Sequence, residues 1–341
     1  MSVRIASATF GLGVMLWGAA LGAAGPEVNV YSARKEALIK PLLDRFSSET
    51  GIRVNLVTGK ADALLVRLQS EGDNSPADLL ITTDAGRLHR AKHAGVLQPI
   101  DPKLLRGSVP PEFADPDGYW YGLSVRARPI IYAKHRVDAT QLSDYEDLAS
   151  DKWQGRICVR SSDNIYNQSL VASMIVARGV PATLDWAQGL VANFARSPKG
   201  GDRDQIRAVA AGQCDLAIAN TYYLGHMLAS DDDGERRAAE QVSIYWPNQG
   251  GRGTHINVSG VGMTRAAPNR DHALRLVLFL VSDSSQQWYA EVNHEYPVKF
   301  NVAIGATVKR WGKFKGDSLH LAKLGEYNSE AVKLMDRAGW R

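Results

Sequence analysis

Tyr222 and Tyr223 stand side by side in the run ANTYYLGH, and Tyr166 stands in RSSDNIYNQS. Each site follows an apolar stretch that reads as a strand and opens a stretch that reads as a helix. A phenol with an ordinary pKa of about 10 is neutral at pH 7 unless a strong positive charge lies close by. A bound multivalent cation supplies that charge. Hard cations select oxygen donors, and three phenolates cancel the charge of one trivalent ion. Asn220 and Thr221 are good N-cap types, so the adjacent pair is expected to open a helix, where the macrodipole favours an anion. The competing readings are ordinary: a tyrosine pair that packs in a core or lines a pocket, and a Tyr166 that packs beneath a capping turn.

Other chemistries find less to work with. The sequence has no G-x-S-x-G elbow, no G-x-x-x-x-G-K-[ST] loop and no H-E-x-x-H. Its eight histidines are dispersed, and His226, three residues after Tyr223, reads as a solvated helix residue. Two cysteines cannot build a Cys-rich zinc site. A hydrolase or transferase would have to rest on Asp84 or His226 with no nucleophile motif beside them.

Loops of this kind need a scaffold that gathers them. In open α/β sheets, ligands sit outside the carboxyl ends of the strands, and three places fit: YSARKE after Glu27–Ser32, RSSDNIYNQS after 155–160, and ANTYYLGH after 214–220. The strand EVNVYS is followed by Leu38, Ile39, Leu42, Leu43 and Phe46 on one face of a helix that Gly51 closes, and IRVNLV resumes as a strand. A helix over 62–71, the strand ADLLIT and a helix over Ala85–His93 repeat the pattern. Alternation of this kind implies a mostly parallel sheet flanked by helices. The extended run GYWYGLSVRARPIIYAK reads as a crossover to a second α/β block, with strands GRICVR and CDLAIAN and helices over 166–178, 184–194 and 204–211. The Gly-rich run NQGGRGTHINVSGVGMT reads as the return, and helices over 271–281, 285–293 and 318–338 complete the chain. Two crossovers between two α/β lobes make a hinged clamshell.

The N-terminal stretch carries one arginine, an apolar run from about Ala8 to Leu21 and small residues at 22–24, the pattern of a secretory signal cleaved near Ala24. The run is shorter than the roughly 20 residues that cross a bilayer. The expected division is a signal over 1–24, a first lobe from 25–124 and 248–341 with the C-terminal helices, and a second lobe over 125–247. The formal charge of +4 is spread among acids, with no basic stripe of the kind nucleic acid requires. Behind an export signal, Cys158 and Cys214 read as one structural disulfide, with two buried thiols as the alternative.

The segments VYSARKEALIKPLLDRFSSETGI, SPADLLITTDAGRL, SDNIYNQSLVASMI, QCDLAIANTYYLG, THINVSGVGMTRAAPN and NHEYPV resemble the periplasmic ferric-iron-binding proteins of bacterial ABC importers, which share a transferrin-like clamshell. The resemblance implies a monomeric, non-enzymatic binding protein of the periplasm that delivers Fe(3+) to an ABC-type membrane permease, with Tyr166, Tyr222 and Tyr223 as iron ligands. Several members place His-Tyr after the first strand, where this sequence has Lys35 and Glu36. Glu36 is then a substitute oxygen ligand or a solvated first-turn carboxylate. Arg34 or Lys35 could hold a synergistic anion such as carbonate, and Arg126 could hold that anion, stabilise a phenolate or form a structural ion pair. The alternative function on the same fold is capture of an anionic or polyamine solute with the tyrosines as aromatic lining.

Overall fold

The computed structural model describes residues 25–341, so the expected signal and its cleavage point near Ala24 lie outside the described residues. Two sheets organise the chain. The first contains β1 (Glu27–Ser32), β2 (Arg53–Thr58), β3 (Leu79–Thr83), β4 (Leu97–Gln98), β5 (Tyr121–Ala127) and β10 (Ile256–Thr264), in the order β2-β1-β3-β10-β4 with β5 also paired to β10. The second contains β6 (Ile130–Ala133), β7 (Ile157–Cys158), β8 (Leu216–Ile218) and β9 (Val242–Tyr245), in the order β7-β8-β6-β9. The chain thus leaves the first sheet between Ala127 and Ile130 and re-enters it between Tyr245 and Ile256.

The sheets are mixed, a correction to the mostly parallel ones expected. β1 runs parallel to β2 and β3, but β10 is antiparallel to β3, β4 and β5. In the second sheet β7 and β8 are parallel, whereas β6 is antiparallel to β8 and β9. The physical reason is the crossover itself. β10, which returns the chain from the second sheet, and β6, which receives it there, insert against the direction of the βαβ strands they join. β5 and β10 are buried along their whole length. Gly260 allows that packing, since a Cβ there would lie 2.6 Å from Leu88 Cδ1 and 2.7 Å from the Tyr121 carbonyl.

Helices α1 (Lys40–Thr50), α2 (Ala61–Glu71) and α3 (Ala85–His93) link the first strands. α1 buries Leu42, Leu43 and Phe46 and ends where Gly51 adopts the left-handed conformation at φ 71°. Between β7 and β8 come α4 (Ile165–Arg178), α5 (Val180–Ala192) and α6 (Asp202–Ala210), and between β8 and β9 come α7 (Thr221–Leu228) and α8 (Asp233–Glu240). α4 is buried nearly all round from Ile165 to Ile175, as a helix inside a core must be. The helices after β10 are α9 (Arg270–Leu280), α10 (Asp283–Val292), α11 (Ala306–Lys309), α12 (Ala322–Glu326) and α13 (Asn328–Arg337).

The C-terminus departs from the expected assignment of 248–341 to the first lobe. α12 packs on both α3 and α4, and α13 packs on α4 and α5. The cause is an apolar face of Ala331, Leu334 and Met335, continued by Trp340, whose indole donates to the Arg160 carbonyl at 2.9 Å. Cys158 and Cys214 are bonded, with Cα atoms 5.9 Å apart, joining β7 to the approach to β8. Closing a loop of this length contributes about 3–5 kcal/mol in the chain-entropy account. Among the described residues no helix is long and apolar enough to cross a membrane.

Candidate functional site

Two helix starts define the site. Tyr166 is the second residue of α4, and Tyr222 and Tyr223 are the second and third of α7. Both helices begin just beyond a strand of the second sheet, so their N-terminal N–H groups and positive dipole ends converge. Tyr166 Oη lies 3.5 Å from Tyr222 Oη and 3.4 Å from Thr83 Oγ1 at the end of β3. The Tyr222 and Tyr223 rings lie 4.2 Å apart. Tyr166 and Tyr222 are 8 % and 6 % exposed, which sets their hydroxyls deep in a cavity of about 370 Å³ between the two sheets. Asn220 does not cap α7 with its side chain as expected. Its Oδ1 accepts from Arg128 Nη1 at 3.1 Å, a bond that holds the α7 start against the crossover.

Charge is concentrated beside these phenols. Arg126, 1 % exposed at the end of β5, places its guanidinium carbon 5.2 Å from the Tyr222 ring centroid. Its Nη2 donates to Glu295 at 3.1 Å, and its Nε and Nη1 have no hydrogen-bond partner among the described residues. Of the three readings of Arg126 from sequence, the structural ion pair is present, and the same guanidinium faces a phenol ring. Arg34 lies in the same cluster but is more committed, donating to Glu295 at 3.0 and 3.2 Å and to the Ser259 hydroxyl. Arg128 and Arg160 face the Tyr166 ring at 5.8 and 5.7 Å.

The phenols respond unequally. Burial pushes Tyr166 up, but Arg126, the hydrogen bonds from Thr83 and Tyr222, and Arg87 together bring it below the usual phenol range. Burial drives Tyr222 well above that range, and the negative charge of Tyr166 and of Tyr223 drives it further. Burial and Tyr166 raise Tyr223 as well. The protein's own charges therefore favour ionisation of one phenol, and ionising the other two calls for a cation of high charge among them.

Of the remaining residues singled out from sequence, Lys35 lines the cavity, whereas Glu36 does not. Glu36 lies exposed in a short 3₁₀ turn, Glu36–Leu38, with its first-turn position directed to solvent. The structure therefore does not bring Glu36 to the tyrosines. His226 is the opposite correction: it is half-buried, lines the cavity and meets His294 edge to face at 5.1 Å. Burial, with help from His294 and Arg203, lowers it to about 4, so it is neutral at physiological pH. Asp84 is wholly buried as the N-cap of α3, accepting from the Gly86 amide at 2.9 Å and from Ser169 at 2.7 Å. Every one of its roles there is structural.

Sequence reasoning missed Thr83, Arg87, Arg203 and Glu295, all of which line the cavity. Arg87 sits in the first turn of α3 and Arg203 in the first turn of α6. A cation there opposes the helix macrodipole. That local disagreement was the available signal, because a charge placed against the dipole needs another reason to be there. Glu295 had no such mark beyond its place in NHEYPV.

A two-sheet clamshell with an oxygen-rich, cation-lined cleft defines a solute-binding protein. The chain belongs to the bacterial extracellular solute-binding proteins, whose family model matches residues 74–316. It is 50 % identical over 315 residues to iron uptake protein A1 of Synechocystis sp., covering 92 % of this chain and 88 % of that one. It is 26 % identical over 333 residues to the major ferric iron-binding protein of Neisseria meningitidis, covering 96 % of this chain and 98 % of the relative. Among solved structures, the Trichodesmium FutA protein in complex with iron and citrate ligands superposes with a TM-score of 0.89 at 47 % identity, covering 92 % of this chain and all of that one.

Proposed function

We propose that this protein captures ferric iron outside the cytoplasm and delivers it to an ABC-type permease, with Tyr166, Tyr222 and Tyr223 as the metal's protein ligands. The observation that carries the reading is the convergence of these phenols from two helix starts, with Tyr166 Oη and Tyr222 Oη 3.5 Å apart. The relatives named for iron uptake and ferric binding support the same cargo. Residues 1–24 act as the export signal, the protein works as a periplasmic monomer, and its two lobes join at the passages from β5 to β6 and from β9 to β10. Closure follows if the metal and its anion make better contacts in the closed form than in the open one.

The cleft also takes an anion, and its place is beside Arg126 rather than Arg34, whose guanidinium is already held by Glu295 and Ser259. Arg87 and Arg203 complete an anion-attracting rim. The same rim bears on the rival reading. Cationic side chains at 34, 35, 87, 126 and 203 against the carboxylate of Glu295 repel a polyamine but suit an anionic solute. Titration with ferric citrate, sodium phosphate and spermidine separates the readings. Ferric iron bound through phenolates produces a visible charge-transfer band. A saturated complex without that band, or tighter binding of phosphate than of ferric citrate, overturns the iron reading.

A further inference from the structure

The segment NHEYPV stands out in the sequence, and neither the ligand set nor the anion rim uses it. In the structure, 293–296 touch α7, β5 and the loop after β1. Asn293 Nδ2 donates to the Leu38 carbonyl at 3.0 Å, just past the loop that carries Arg34 and Lys35. His294 adopts a left-handed φ of 53° and lies against α7, where a Cβ on Gly225 would come within 2.6 Å of its own Cβ. Tyr296 pairs with Val125 on β5 through two backbone hydrogen bonds of 2.7 Å. Between these anchors sits Glu295, 1 % exposed.

Each oxygen of Glu295 has an assigned task. Oε1 accepts from Arg126 Nη2 at 3.1 Å and from Arg34 Nη2 at 3.2 Å, and Oε2 accepts from Arg34 Nη2 at 3.0 Å and from Ser124 Oγ at 2.6 Å. Both arginines also donate to the one hydroxyl of Ser259. Two guanidinium ions packed this closely repel each other, and burial denies them the screening that water would give. One carboxylate between them compensates one charge and leaves the other. With Nη2 pinned to Glu295, the Nη1 and Nε groups of Arg126 stay unpartnered, and the guanidinium remains over Tyr222. Among the described residues no other carboxylate pairs with Arg126 to hold it in that orientation.

We infer that Glu295 is a positioning residue for the phenol cluster: it acts through Arg126, fixing that guanidinium against Tyr222 while it neutralises Arg34. The inference rests on the iron reading above. It also gives the segment 293–296 a task, since any displacement of it relative to α7 or β5 moves the arginine that faces the phenols.

The test is a double-mutant cycle of Glu295→Gln and Arg126→Gln, read by the energy of the ferric charge-transfer band and by ferric affinity in competition with citrate. Glutamine keeps the size of the side chain and one acceptor oxygen but loses the charge. The expected result is a band shift in Glu295→Gln of the same direction as in Arg126→Gln, with about a tenfold loss of affinity, equivalent to one charge-assisted hydrogen bond. The double variant should match Arg126→Gln alone, because a residue that works through another has no effect once that other is gone. Glu295→Asp, which restores a carboxylate, should recover part of the band position and guards against a glutamine variant that does not fold. Additive effects in the double variant, or a lowered melting temperature with an unmoved band, overturn the inference. Absence of the band in the unaltered protein would instead overturn the iron reading itself.

Discussion

The cavity has two unlike walls. The wall from the second sheet presents Tyr166, Tyr222 and Tyr223 on the starts of α4 and α7, and the wall from the first presents Arg34, Lys35 and Arg87, with Glu295 as the carboxylate paired to Arg34. One wall is a set of oxygen donors, of which the protein's own charges favour ionising Tyr166 while Tyr222 and Tyr223 need a cation to become anionic. The other is cationic already. On the function proposed above, the difference gives the two lobes separate tasks: the second offers the metal's ligands, and the first is complementary to whatever negative charge accompanies it. An encounter can then begin on the phenol wall, and closure becomes favourable once an accompanying anion reaches across to the first.

The largest expected effect breaks the phenol wall. Tyr222→Phe removes an oxygen at the centre of the cluster while keeping the ring that packs on Tyr223 and faces Arg126. Ferric affinity should fall by more than about 100-fold, beyond the range of losses that follow from altering a ligand's supporting partner. Competition against citrate, followed by the visible band, measures it. An affinity within tenfold of the unaltered protein would mean that the ring, not the oxygen, is what the site uses.

The next test uses protons. Burial and the neighbouring phenolate hold Tyr222 and Tyr223 above the ordinary range, so metal binding must release at least their two protons. The sign follows directly: protons compete with the metal for these oxygens, so apparent affinity falls as pH falls. Two protons correspond to about a 100-fold change per pH unit. Calorimetry in buffers of different ionisation enthalpy counts the protons, and a count near zero would remove the phenolates from the account.

These two tests concern the wall that was readable from the chain. The tyrosines stood out because two motifs placed them after strands and at helix starts, and local rules of that kind survive folding. The βαβ alternation of 27–93 was readable for the same reason, down to Gly51 closing α1. What escaped depended on long-range geometry. The direction of β10 relative to β3 is set by how the chain returns from the second sheet, and no local pattern encodes it. Glu36 and His226 illustrate the same limit at the site. The residue type of Glu36 left a ligand and a solvated carboxylate open, and the short turn places it on the solvated side; His226 read as solvated, and the approach of 293–296 to α7 reversed that. Trp340 packing on Phe194, at 5.6 Å between rings, is equally invisible from its position in the sequence.

Arg87 of the cationic wall, and Arg203 on α6 across the cavity from it, can be tested through the accompanying anion. Arg87 donates to Thr83 at 3.1 Å and Arg203 lies near Glu235 at 3.4 Å, yet both side chains reach the cavity. Replacing each by Gln keeps a polar side chain and removes the charge. Each variant should weaken binding of the ferric complex roughly tenfold in the presence of the anion, the scale of one charge-assisted hydrogen bond. The band should keep its position, since the phenolates are untouched. Raising the salt concentration should narrow the gap between variant and unaltered protein, because half-buried charges are partly screened. A loss that is the same with and without the anion would assign these arginines to the metal site or to the fold.

The smallest effect is expected at Glu36, and it sharpens the comparison most directly. Were the first wall to contribute a metal ligand of its own, Glu36 is the oxygen donor that its loop supplies, next to the cavity-lining Lys35. Its carboxylate is solvent-exposed in the turn Glu36–Leu38, at a helix start where a negative charge is favourable without any metal. Glu36→Gln should therefore change ferric affinity by less than about twofold and stability by only a few tenths of a kcal/mol, the scale of an exposed dipole contact. Closure could still carry the loop inward, and the same variant detects that: a tenfold loss of affinity would show that the turn rearranges around the metal. The division of tasks between the walls would then hold only for the conformation described, with the first lobe adding a ligand as the cleft closes.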